Sequence, residues 1–217
     1  MTHRNAWIGD LVASASGIVQ RSDGRVAIGA VLLIENAAGE IVVVTKAPKP
    51  GYEFSGSDTL PGGMLRSACA GPIRPDDLRR IAFESLSMRA SAEAGYLPES
   101  APAVIELNPP PTTSYTVGGA RKHVVVLPYA ITAPQGFHPV ASDRSVTTAR
   151  WVNPLEVIAN LAPANCIVVC KFIWPRLDAA LRGKCRASIG NAAADCKRWA
   201  QEAGVPPVDM AWLSGTG

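Results

Sequence analysis

Apolar and polar residues fall along this chain in blocks that mark its elements. Val26-Ala-Ile-Gly-Ala-Val-Leu-Leu-Ile34 is continuously apolar and rich in β-branched residues, the pattern of a buried strand. Asn36-Ala-Ala-Gly-Glu40 supplies a turn, and Ile41 to Thr45 returns as the second strand of a hairpin. Pro48 to Ser57 is a loop rich in Gly and Pro. Thr59 to Leu65 is a short segment with a sharp turn, and Ser67 to Pro75 reads as loop again. Near Asp76 the period becomes helical, with Leu78, Ile81, Ala82 and Leu86 on one face. Pro75, Asp76 and Asp77 suit the start of this helix, where free N–H groups and the dipole favour negative charge. Gly95 suits its left-handed end.

Further along, Ala103–Leu107 and His123–Ile131 predict strands, with Pro109–Tyr115 as the loop between them. Thr148–Val152 predicts a shorter strand, and Pro154 to Ile158 a helix start. Val169, Phe172, Ile173, Leu177 and Leu181 predict one helix over Cys166–Leu181, and Asn191–Ala203 a last one. The tail from Gly204 is expected to lose order at its end.

Composition narrows the class. Of 217 residues, 47% are hydrophobic and 18% charged, which excludes a disordered or fibrous chain and fits one loop-rich domain. A net charge of +3 is too small to point to nucleic acid. No apolar run reaches the roughly 20 residues of a membrane span. Met1–Asp10 lacks the basic and apolar regions of a secretory leader. Five cysteines form an odd count without framework spacing, which fits reduced thiols and a cytoplasmic location. Cys166 and Cys170 read as core packing rather than a metal site.

The order of elements resembles the Nudix family. Leu60-Pro-Gly-Gly63, Glu93-Ala-Gly-Tyr96 and Ala149-Arg-Trp-Val-Asn-Pro-Leu155 carry the likeness, which covers about Val26 to Ile158. It implies an α/β fold, a Nudix α/β/α sandwich around a mixed β-sheet with extra C-terminal helices. Residues 1–25 would form an N-terminal extension, 26–160 the Nudix-like domain, and 161–217 a helical extension packed on it. The implied activity is hydrolysis of a nucleoside diphosphate linked to another group, with Mg²⁺ or Mn²⁺. In that chemistry several carboxylates on one helix face hold the metal against a pyrophosphate, and the metal activates the attacking water.

Laid on the family's box, this chain departs from it. Gly63 to Met88 spans 25 positions where the pattern has 14, an insertion of 11. The Arg-Glu pair of the pattern is Met88-Arg89, and its paired carboxylates are Ala92 and Glu93. The isolated Glu position holds Cys69 counted from Gly63, or Arg80 counted from Met88. Glu93 alone remains, as the expected catalytic residue and metal ligand. Lys46, Gly62, Gly63, Arg66, Arg89 and Tyr115 are the expected substrate contacts. Glu84 reads as the i+4 partner of Arg80 rather than a helper acid. Arg89 stands where a metal-binding carboxylate would be, and a guanidinium there can meet phosphate directly, with no cofactor.

Two main readings follow. One is a hydrolase of a small nucleoside-diphosphate-linked or other diphosphate compound, with an atypical site. The other is a non-catalytic module for a nucleotide-like ligand or a protein partner, or a Nudix-fold enzyme of different chemistry. Neither requires nucleic acid or a membrane, and the Cys166–Leu181 segment could serve a homodimer as well as a core.

Overall fold

The continuous apolar run at Val26 sets the centre of the fold. In the computed structural model, which describes residues 9–50, 52, 54–117 and 120–214, this run is the central strand of a mixed sheet. In chain order the strands are β1 (Leu11–Ala13), β2 (Val19–Arg21), β3 (Val26–Glu35), β4 (Ile41–Lys46), β5 (Asp58–Thr59), β6 (Gly62–Met64) and β7 (Gly71–Ile73). Helix α1 (Pro75–Ala94) follows, then β8 (Ala103–Val104), β9 (Thr112–Val117), β10 (Ala120–Thr132) and β11 (Val146–Val152). Helices α2 (Pro154–Val157), α3 (Pro163–Ile173) and α4 (Ala179–Ala203) complete the order.

Strand β3 runs parallel to β10, from Val26 beside His123 to Glu35 beside Thr132. It runs antiparallel to β2, β4 and β6. The strand period of two then sends alternate residues to opposite faces. Leu33, Ile41, Val43 and Val126 join Ile167, Val168 and Ile189 of α3 and α4 on one face. Ile28, Leu32, Val42 and Val125 join Ile81 and Leu86 of α1 on the other. The expected α/β/α sandwich around a mixed sheet is the observed architecture. Among the described residues, no helix is long and apolar enough to cross a membrane. The tail end at 215–217 and most of the Met1–Asp10 stretch lie outside the described residues.

Helix α1 begins one residue before the expected Asp76 and ends as predicted, with Gly95 at φ 70° accepting no Cβ penalty. Leu78, Ile81, Ala82 and Leu86 are all buried, each large side chain contributing about 1.5–3 kcal/mol.

Several expectations on secondary structure need correction. The Ser67–Pro75 loop contains β7, which pairs with β1, so the first strands extend the sheet. Pro109–Tyr115 is loop only to Pro111. From Thr112 the chain pairs with β10, placing Tyr115 on a strand opposite Lys122. The single helix over Cys166–Leu181 is two: α3 ends at Ile173, and Trp174–Arg176 makes a 3₁₀ turn. Pro175 lacks the N–H that would continue the ladder. Asp178 then starts α4 by accepting the Leu181 N–H at 2.8 Å. Helix α4 absorbs the expected Asn191–Ala203 helix. The carbonyls of Ala203, its last residue, and of Gly204 just beyond it accept from the Arg21 guanidinium of β2 at 3.0 and 3.2 Å. Cys166, Cys170, Cys185 and Cys196 are buried in this helical layer, whereas Cys69 is exposed.

Glycines test this packing in opposite directions. At Gly62, φ is 155° and an added Cβ would lie 2.3 Å from the Ala30 carbonyl oxygen. At Gly183 and Gly190, inside α4, a Cβ would meet nothing within 4 Å. Gly62→Ala should therefore cost about 2 kcal/mol or more. Gly183→Ala and Gly190→Ala should each stabilise by about 0.5–1 kcal/mol. Urea melts of the three variants check both signs.

Candidate functional site

A glycine pair and a helix end meet where β6 pairs with β3. Because Gly62 and Gly63 carry no side chain, the backbone of β6 lies close to β3 and leaves room beside it. That room is a cavity of about 660 Å³. Glu93, the next-to-last residue of α1, opens into its wall and is 1% exposed.

Such burial obliges the carboxylate to find partners. Its Oε1 accepts from the Lys46 ammonium at 2.7 Å, and its Oε2 from the Gly62 N–H at 3.1 Å. Lys46 reaches it from the end of β4 and is itself mostly buried. Arg89, one turn earlier on α1, holds Nη1 4.0 Å from Glu93 Oε1. An added Cβ on Gly63 would sit 3.3 Å from Arg89 Nε, so the guanidinium lies directly over the glycine. The structure thus brings Lys46, Gly62, Gly63, Arg89 and Glu93 into one cluster.

Tyr115 lines the same cavity, its hydroxyl 3.5 Å from the Met64 sulfur. Arg66 does not line it. After β6 the chain turns inward at Leu65, and Arg66 emerges beside the first strands, donating to the Ser16 carbonyl at 3.1 Å. Glu84 pairs with Arg80 at 2.8 Å on the exposed side of α1, as its spacing predicts. Cys69 is exposed and outside the cavity wall.

Sequence reasoning missed much of the wall. Tyr52 and Phe54 stand in the loop after β4, with Tyr52 edge-on to Phe54 at 6.0 Å and to Tyr115 at 5.7 Å. Burial, with Tyr115 and Glu93 nearby, pushes the Tyr52 phenol up to about 12, so it stays a neutral donor. Lys122 and His123 line the cavity too. Burial lowers the His123 pKa, and its Nδ1 has no hydrogen-bond partner among the described residues. The Thr59 hydroxyl, also in the wall and buried, is likewise unpartnered. With Arg25, Lys49 and Arg144, six cationic residues line the cavity against one carboxylate, Glu93. Of the six, Lys46 and Arg89 are among the expected substrate contacts, Lys46 from its place at the end of the hairpin strand and Arg89 from its position in the box.

The donor set does not suit Mg²⁺ or Mn²⁺. These ions want several carboxylate or carbonyl oxygens in near-octahedral array. Met88, Arg89 and Ala92 offer none, and both Glu93 oxygens are already taken. Asp143 lies within the field of Arg89 and Lys46, but it is only half-buried and its Oδ1 accepts the Ser145 N–H at 2.6 Å. That hydrogen bonding, more than the two cations, holds its pKa low. Among the described residues, no group of three or more His, Cys, Asp or Glu could hold a metal ion.

Neither a family model nor a curated protein matches this chain. Solved structures do. The chain is similar to the MutT protein of Methanosarcina mazei Go1, at 17% identity and a TM-score of 0.48, over 70% of this chain and 96% of that one. It is similar to the NUDIX domain of Shewanella oneidensis NrtR, complexed with ADP ribose, at 11% identity and a TM-score of 0.48, over 69% and 88%. A C. elegans Ap4A hydrolase is similar at 16% identity and a TM-score of 0.45, over 69% and 96%. The solved structures that this chain is similar to thus include Nudix proteins.

Proposed function

We propose that the chain is a Nudix-like protein that takes a small nucleoside-diphosphate-linked or other diphosphate compound into the cavity beside Gly62 and Gly63. The observation that carries this reading is the make-up of the wall. Six cationic residues face one carboxylate, and three aromatic rings, Tyr52, Phe54 and Tyr115, stand in the same space. Cations in a walled cleft concentrate an anion. Aromatic faces hold a planar base or a similar ring by stacking. At about 660 Å³ the cavity is in the range of small-molecule sites, roughly 300–1,000 Å³.

Hydrolysis is the second reading. It is favoured by Glu93, the box carboxylate that remains, which stands in the cavity wall at the expected distance from the helix end. One screen separates the two. Nucleotide sugars, dinucleotides and nucleoside diphosphates are offered in thermal-shift and phosphate-release assays, each with and without Mg²⁺. A member present at 100 times its Kd should stabilise the chain by about 2.7 kcal/mol, a shift of about 5–11 °C for a chain of this size. Stabilisation without release marks a binding module; release as well marks a hydrolase. No stabilisation by any member overturns the reading.

The aromatic end makes its own prediction. Tyr52→Ala and Tyr115→Ala should each weaken a nucleoside-containing ligand by about 1–3 kcal/mol. Their effect on a ligand without a base should be much smaller, as titration calorimetry of both ligand types would register.

A further inference from the structure

The contact between Lys46 and Glu93 is the least expected feature of the site. In the family's pattern the Glu93 position serves a metal. Here its carboxylate is filled from two sides by an ammonium and a backbone N–H. We propose that Lys46, seated on Glu93, together with Arg89 forms a built-in cation that meets the ligand's phosphate in place of a divalent metal. Binding then needs no metal ion. The inference rests on the reading that a diphosphate enters this cavity.

Charge and access both support it. Lys46, Arg89 and Glu93 together carry one net positive charge. The Glu93 side chain is 2% exposed, that of Lys46 15% and that of Arg89 33%. Charge is therefore buried at the acid and open at the guanidinium. A metal ion entering here would sit against the Lys46 ammonium on Oε1, and displacing that ammonium would leave Lys46 buried without its partner. That loss has no compensation from Met88, Arg89 or Ala92, which supply no oxygen ligand from a side chain. A phosphate faces no such conflict. It adds an anion where one positive charge is in excess, and the Arg89 fork can hold it by two parallel hydrogen bonds. Glu93 in this arrangement is a positioning residue: it fixes the Lys46 ammonium at the glycine loop.

Inorganic pyrophosphate is the probe, because it has no base to stack. The expected result is stabilisation and calorimetric binding that persist in EDTA. Mn²⁺ titrated into the ligand-free chain should stay free by electron paramagnetic resonance. Arg89→Ala should weaken pyrophosphate about tenfold, the scale of a lost charge-assisted contact, and Arg89→Lys should weaken it less. Lys46→Met alone would leave Glu93 charged and buried, so Lys46→Met with Glu93→Gln is the safer variant. It keeps an acceptor for the Gly62 N–H and should lose pyrophosphate by about tenfold or more, with its circular dichroism unchanged.

Binding of pyrophosphate only with Mg²⁺ or Mn²⁺, Mn²⁺ captured by the ligand-free chain, or no pyrophosphate binding in either buffer each overturns the built-in cation. The nucleotide screen in Mg²⁺ answers separately whether the cavity takes a diphosphate compound at all.

Discussion

A carboxylate removed from water must be answered by charge and hydrogen bonds, or it will not stay ionised or stay buried. At Glu93 that demand organises the centre of the molecule. It draws Lys46 across from the end of β4 and fixes the Gly62 N–H of β6, so three elements meet at one side chain. Helix α1, the hairpin and the glycine strand are thereby held in register around a cavity. Breaking one partner of such a pair typically costs about 3–5 kcal/mol, because the other is left charged and dry. The cavity's shape and its electrostatics therefore share one origin. Gly62 can approach β3 only without a Cβ, and its N–H is then aimed where the acid needs it.

Much of the fold was legible because its signals are local. The β-branched run at Val26 and the helical period from Leu78 to Leu86 each encode a burial pattern that tertiary contacts reinforce. The elements that escaped are those whose pairing is remote or whose punctuation misleads. Pro109-Pro110-Pro111 cannot donate to a ladder, and they hid the strand that begins one residue later. Gly183 and Gly190 lower helix propensity inside α4, yet burial of Cys185, Ile189 and Trp199 overrides them. Pro175, conversely, split an apolar period that looked continuous.

The site divides along the same line. Glu93 could be placed from the Glu-Ala-Gly-Tyr spacing, and Arg89 from its position one helical turn earlier. Their relation to Lys46 could not, since the pair is 47 residues apart and only the folded sheet closes that distance. Arg66 shows the converse case, lying outside the lining of this cavity. Nearness in sequence to the glycine pair suggested the cleft, but the buried Leu65 turns the chain and carries Arg66 to the β1–β2 side. Tyr52, Lys49 and Arg144 come from loops, where periodicity says nothing about direction.

The Arg21 clasp on the end of α4 bears on how such a chain is made. Its two hydrogen bonds join residues 182 and 183 positions apart. During synthesis from the N-terminus, β2 emerges long before the carbonyls it will hold, and the sheet can pair well ahead of the helical layer. Closing so long a loop adds little entropic cost beyond a shorter one, because that cost grows only logarithmically with length. It does make the last helix the latch. Until α4 is complete and docked, the face of the sheet bearing Val124 and Val126 lacks much of its cover, and a ribosome-bound chain presents that apolar face to its surroundings.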